Sequence, residues 1–341
     1  MLTRPAVKST FGARPRGHVA RAPDSAPGLL ARTRGLKRAL LASIVLGVGV
    51  VAALGAYADF GQLGSALQGF QWELLPLALA CTAMNHLIRF WRWQRYLRAI
   101  EVKIPARRSF SIFTAGLTMT LSPAKLGEVL KSVLLARSFA IPARRSAPIV
   151  LAERITDAIG LAALTTGAGV AVAGGWALGP PVAVLCLASV FLLRLPVLDR
   201  YRWIAEARSV SITLLGWPRL TAMSVVATGS WLLECVAAWV CVRGLGLEVS
   251  FGETVVVFGT ASLAGAISFV PGGIGVAEAS MAALLRALGA SRPDAVAATV
   301  LIRLVTLWFS VAGGLIALAY ESSTRPASES EALSDPNERG A

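Results

Sequence analysis

Charge is scarce in this chain. Asp, Glu, Lys and Arg make up 15% of the 341 residues, against 55% for the hydrophobic ones. A soluble domain of this length needs a far more charged surface, so that class is excluded. Histidine is nearly absent, with 2 residues. No His/Asp pair and no Asp-rich motif occurs, whereas a hydrolase or transferase acting on lipid phosphates needs a nucleophile or a metal cluster. The chain is therefore not expected to be an enzyme, and no cofactor or metal is expected. The 4 cysteines, Cys81, Cys186, Cys235 and Cys241, are dispersed and lie in or at the ends of apolar spans. No pair has metal-ligand or redox spacing, so they read as small buried hydrophobes.

The charge that is present is unevenly placed. The net charge is +14, and residues 1–38 carry Arg4, Lys8, Arg14, Arg16, Arg21, Arg32, Arg34, Lys37 and Arg38 against Asp24 alone. Pro5, Pro15, Pro23 and Pro27 are scattered among them. Such a segment cannot bury apolar surface and is predicted to be a disordered cytoplasmic tail. It serves as a topology signal or touches anionic headgroups. A nucleic-acid partner is not expected, because nothing folded or aromatic accompanies the basic residues. Residues 321–341 read as a second disordered tail, polar and acidic.

Between the tails the pattern is that of a membrane protein. Residues 39–58 carry no charge, enough to cross ~30 Å of hydrocarbon as a helix. Similar spans recur at 74–93, 147–172, 178–195, 219–242 and 295–320. With the N-terminus inside, the cluster Arg89, Arg92, Arg95, Arg98, Lys103, Arg107 and Arg108 falls on the cytoplasmic side, and so does the C-terminus. Arg89 and Arg92 stand at a helix end and are expected to snorkel to the interface. Trp72, Trp91, Trp93, Trp176, Trp203 and Trp217 are expected to form an aromatic belt.

Two breaks interrupt the apolar pattern, and they resemble each other. The first is Ser122-Pro123-Ala124-Lys125-Leu126-Gly127-Glu128. The second is Val270-Pro271-Gly272-Gly273-Ile274-Gly275-Val276-Ala277-Glu278. An apolar helix with an Arg follows each at nearly the same distance, Arg154 after Pro123 and Arg303 after Pro271. The flanking pieces, Phe110–Leu121 with a helix to Phe139, and Phe251–Leu288, read as re-entrant pairs. Non-helical backbone at that depth survives only where protein or a wet cavity satisfies it. The expected fold is thus an all-α polytopic membrane protein with about six full transmembrane helices and two re-entrant helix pairs. The order helix, basic connector, re-entrant pair, helix occurs twice with opposite starting sense. That is an inverted-topology repeat, an architecture of transporters whose sites lie where such breaks meet.

The candidate site follows from charge and backbone. Each break ends at the start of a half-helix, whose unpaired N–H groups suit an anion. Lys125 adds a full charge, and Gly127, Gly272, Gly273 and Gly275 allow close backbone approach. Glu153, Arg154 and Asp157 lie within one turn, Glu234 sits near mid-span, and Arg303 lies within its own span. Ionisable groups so placed face a cavity or a partner. Expected pairs are Glu128 with Arg154 and Glu278 with Arg303. His86, alone in its span, reads as a core residue.

Arg89-Phe90-Trp91-Arg92-Trp93, Pro123-x-x-x-Gly127-Glu128, Glu153-Arg154-x-x-Asp157, Pro271-Gly272-Gly273-Ile274-Gly275-x-x-Glu278 and Arg303 together resemble a known family. They are similar to the flippase-like transmembrane domain of lysylphosphatidylglycerol synthases and its stand-alone UPF0104 relatives, over residues 39–320. The resemblance implies a multi-pass plasma-membrane protein that moves a lipid between leaflets. The family's soluble aminoacylating domain has no counterpart after the last helix, so that activity is not carried over. The expected function is translocation of a phospholipid or polyprenyl-phosphate-type lipid, with membrane lipids bearing an anionic headgroup as partners. The alternative is a non-catalytic partner or scaffold for a lipid-synthesis enzyme or a glycosyltransferase.

Overall fold

A computed structural model describes residues 44–121, 130–173, 184, 202–268 and 270–323, all helix, turn or connecting loop with no strand among them. The chain is an all-α membrane protein. Four helices are long and apolar enough to cross a membrane: Trp72–Ala99, Ala143–Val172, Trp217–Gly244 and Arg292–Glu321. A fifth candidate is bent, with α1 (Ile44–Ala58) and α2 (Phe60–Gln68) meeting at 96°. Asp59 makes that corner. It adopts φ 68° and ψ 117°, and its carboxylate accepts hydrogen bonds from the N–H groups of Gly61 and Gln62 to cap α2. Apart from residues 184 and 321–323, the expected span at 178–195 and both tails fall outside the described residues. Val170, Val225 and Ile316 are each more than 60% exposed, as helix faces directed at lipid must be.

The remaining elements follow a repeated order. The first set is α3 (Leu75–Ala99), then α4 (Ala106–Leu117) ending in a 3-10 turn at Thr118–Leu121, then α5 (Leu130–Phe139) and α6 (Ala143–Ala173). A connecting helix, α7 (Arg202–Leu214), lies along α6 where only a basic arm was expected. The second set is α8 (Trp217–Gly244), α9 (Phe251–Ile267), a 3-10 turn at Pro271–Gly273, α10 (Val276–Ala287) and α11 (Arg292–Arg303). After Arg303 the helix passes through a π turn, Leu304–Trp308, into α12 (Phe309–Ser323). Each set therefore places a pair of short helices between two long ones. At about 1.5 Å per residue, neither α9 nor α10 crosses ~30 Å of hydrocarbon alone, and the two pack against each other.

Packing between the sets is reciprocal. The long helix after the first short pair, α6, packs on α9, the first limb of the second pair. The long helix after the second pair, α12, packs on α4, the first limb of the first pair. Both crossings are close: Gly259 of α9 lies over Thr165 of α6, and Gly314 of α12 over the backbone of Thr118. The first long helices of the two sets, α3 and α8, share the most extensive helix contact among the described residues; Asn85 bonds the Ser230 carbonyl across it, and Ala78 and Ala238 lie in one buried cluster. Lipid tails are as apolar as leucine, so such helices are held by close approach of small residues rather than by a hydrophobic drive. This exchange brings the two tips together: Leu121 of the first packs with Ile274 of the second, beside Leu307 and Val311.

The second tip is held by its glycines. Gly272, Gly273 and Gly275 adopt φ of 63°, 65° and 90°, a region that side-chain-bearing residues enter at a cost. Gly273 also lies so close to Gly265 of α9 that a Cβ there would stand 2.9 Å from the Gly265 Cα. At the base of the pair, Ser250 and Glu253 form a capping box: the Ser250 N–H donates to the Glu253 carboxylate at 2.8 Å, and the Glu253 N–H donates to Ser250 Oγ at 3.3 Å.

Candidate functional site

The tips border a cavity of about 280 Å³. Its wall takes Thr120 from the first tip and Gly272 and Gly273 from the second. Arg89 comes from α3, Arg154 and Asp157 from α6, Glu234 from α8, and Arg303 with Thr306 and Ser310 from the α11–α12 helix. Trp231, Phe258, Leu161 and Leu263 supply apolar wall. Both halves of the chain thus contribute ionisable groups to one space.

Asp157 organises the first-half side. Its Oδ1 accepts a very short bond from Arg92 Nη2. Its Oδ2 faces Arg154 Nη2 at 3.1 Å and Arg89 Nη2 at 3.7 Å. Three guanidiniums thus gather around one carboxylate. Arg92 is wholly buried, and its Nε and Nη1 have no hydrogen-bond partner among the described residues. Arg154 and Arg89 keep partial exposure and reach the cavity. The expectation that Arg89 and Arg92 snorkel is thus corrected. α3 continues to Ala99, so both lie inside the helix, on the side that meets α6. Trp93 is corrected likewise: it is buried and donates to Ser109 Oγ at 3.1 Å. Trp72, Trp91 and Trp217 are exposed, as a belt requires.

Glu278 organises the second-half side. One carboxylate oxygen accepts from Arg303 Nε at 2.6 Å, and the other from the Gly275 N–H at 2.6 Å. Arg303 Nη2 donates to the Gly272 carbonyl at 3.0 Å. The expected Glu278–Arg303 pair is therefore formed, and it clamps the tip to the helix behind it. It also means that a carboxylate already sits at the α10 N-terminus, so an arriving anion would compete with Glu278. The π turn begins one residue after Arg303, and π turns inside helices recur at functional sites.

Other expected residues lie elsewhere. Pro123, Lys125, Gly127 and Glu128 fall outside the described residues, and with them the Glu128–Arg154 pair. Glu153 is buried away from the cavity, accepting from Lys131 Nζ at 2.5 Å. That ammonium also lies over the rings of Trp93 and Phe113, so the pair fixes α5 to α6. Pro271 and Gly275 shape the tip without lining the cavity. Sequence reasoning missed Arg89 and Arg92 as site-forming residues, and Lys131 as the partner that buries Glu153. The available signal was spacing: Arg89 and Arg92 are one helical turn apart and share a face.

Comparison with known proteins now bears on this arrangement. A family described as the lysylphosphatidylglycerol synthase TM region matches residues 44–314. The chain belongs to that family. The matched stretch contains every element around the cavity. Individual relatives are similar over shorter stretches. Two UPF0104 membrane proteins of Methanothermobacter thermautotrophicus are each 32% identical, over 97 and 94 residues, or 28% of this chain in each case and 29% and 28% of the relatives. A UPF0104 membrane protein of Pyrococcus horikoshii is 29% identical over 101 residues, 29% of this chain and 30% of the relative. The matches thus span under a third of the length of these curated relatives.

Proposed function

We propose that this member of the family moves a lipid with an anionic headgroup between leaflets, without changing it covalently. The observation that carries the reading is the shared cavity, which Arg154 of the first half and Arg303 of the second both line beside the touching tips. Guanidinium groups bind phosphate through paired, charge-assisted hydrogen bonds. Asp157 and Glu278 hold Arg89, Arg154 and Arg303 in place, and a headgroup phosphate would exchange with those carboxylates one for one. A space of this size fits a headgroup, while the acyl or prenyl tails stay in the surrounding lipid. The halves form an inverted repeat that rocks about the site to open it to either side. The protein sits in the plasma membrane with both termini in the cytoplasm.

The test is movement of a fluorescent anionic phospholipid in proteoliposomes. Arg154→Ala and Arg303→Ala each remove a charged hydrogen-bonding group, so each is expected to slow movement by about tenfold or more, with the gel-filtration profile retained. Wild-type rates in both folded variants would remove the cavity from the mechanism.

A further inference from the structure

Two hydrogen bonds of the His86 ring determine its protons. Nδ1 lies 3.2 Å from Asn85 Oδ1. The Asn85 amide nitrogen is fixed as a donor, because it bonds the carbonyl of Ser230 on α8 at 2.6 Å. Oδ1 is therefore the acceptor, and Nδ1 must carry a proton. Nε2 lies 2.8 Å from Ser310 Oγ. Ser310 has one hydroxyl proton, and it is donated to the Thr306 carbonyl at 2.5 Å. Ser310 Oγ can then only accept from the ring, and Nε2 must carry a proton as well. Phe309 is stacked on the imidazole at 6.4 Å between centroids.

We propose that His86 is a proton-binding site behind the cavity wall. In the conformation described it is an imidazolium that ties α3 to α8 through Asn85 and to the π turn through Ser310. Ser310 and Thr306 both line the cavity. When Nε2 gives up its proton, Ser310 must either turn its O–H from Thr306 to the ring or lose the contact. One proton thereby changes both the charge behind the wall and the hydrogen bonding of the π turn next to Arg303. The charged groups on the packed elements that are buried or line the cavity are Arg89 and Arg92 on α3, Arg154, Asp157 and Glu153 on α6, Glu234 on α8, Glu278 on α10, Arg303 on α11 and Glu321 on α12; Glu73 precedes α3, and Arg95 and Arg98 on α3, Arg144 and Arg145 on α6, and Arg219 and Arg243 on α8 complete the set on these three helices. Arg107 and Arg108 begin α4, and Arg208 lies on α7; these two elements meet the C-terminal end of α3, away from His86. The consequence for transport rests on the cavity being the lipid path. The proton site itself does not.

The chain has 2 histidines, His18 and His86, so His18→Gln leaves a single imidazole. Nitrogen-15 NMR of that variant, labelled at histidine and held in lipid nanodiscs, distinguishes the imidazolium from either neutral tautomer. The expected result is two protonated nitrogens at about pH 6 and one by about pH 9, on either side of the usual imidazole range. A single neutral tautomer at every pH down to about 5 would overturn the proposal. In the same background Ser310→Ala removes the acceptor at Nε2. It is expected to lower the ratio of imidazolium to neutral ring at about pH 7 by roughly tenfold, the effect of one hydrogen bond to a charged group. An unchanged ratio would overturn the role given to Ser310. In proteoliposomes, lipid movement is expected to depend on pH in the wild-type protein and to lose that dependence in His86→Gln. An equal pH dependence in His86→Gln would overturn the coupling. Absence of lipid movement in the wild-type protein at any pH would instead overturn the translocase reading, with the NMR titration still deciding the proton site.

Discussion

The Glu278–Arg303 contact permits a quantitative test of how the second tip is held. Both side chains are largely withdrawn from solvent, with 7% and 12% of their areas exposed. Removing one partner of such a pair strands the other charge and typically costs about 3–5 kcal/mol. Glu278→Gln belongs at the low end of that range, about 3 kcal/mol. Gln can still accept from the Gly275 N–H, and Arg303 keeps its bond to the Gly272 carbonyl. Arg303→Gln strands the Glu278 carboxylate at the α10 N-terminus, where the helix dipole and the Gly275 N–H partly compensate it. The double variant leaves two neutral amides that can bond each other. A cycle of the four proteins should therefore show a coupling of about 1–3 kcal/mol. The assay is unfolding in mixed micelles with increasing dodecyl sulfate, followed by tryptophan fluorescence from the 9 tryptophans. Single-variant losses that add in the double variant to within about 0.5 kcal/mol would mean the groups do not interact, and the clamp would fail.

Two further outcomes follow from the packing. Gly273→Ala combines a positive φ with a Cβ 2.9 Å from the Gly265 Cα, so it should lose at least about 1–3 kcal/mol and lower the detergent melting temperature; an unchanged melt would contradict the tip geometry. Lys131→Met leaves the Glu153 carboxylate buried alone and should destabilise by about 3–5 kcal/mol, while Lys131→Met with Glu153→Leu should recover much of the loss; equal destabilisation of the single and double variants in the same melt would show that the charge pairing is not what fixes α5 to α6.

The second tip was readable from sequence because its chemistry is local. Pro-Gly-Gly-x-Gly inside an apolar stretch has few uses other than a turn with positive φ. Glu278 faces Gly275 from one turn on, and Arg303 was the nearest basic residue in the following span. The crossing helices were readable because hydropathy over twenty residues needs no tertiary information. The Arg89–Arg92 region was not, for the same reason. A hydropathy window reads consecutive arginines as the end of a span, whereas burial of Arg92 depends on Asp157, a residue on another helix. Lys131 was missed for the same reason: its buried state depends on Glu153 and on the rings of Trp93 and Phe113. The corner at Asp59 rests on one residue's φ, which composition does not reveal. Charge placement was thus legible where partners lie in the same or the following element. It was lost where the fold supplies partners from distant ones.

The most direct measurement uses an anionic phospholipid with a photoreactive group on its headgroup. It is reconstituted with the protein, illuminated, and its adducts are mapped by peptide mass spectrometry. The account predicts adducts on cavity segments from both halves, near Arg154 on one side and near Ser262, Gly272 and Thr306 on the other. Adducts confined to the outward faces that carry Val170, Val225 and Ile316 would show a lipid that only surrounds the protein, and the central claim would be contradicted.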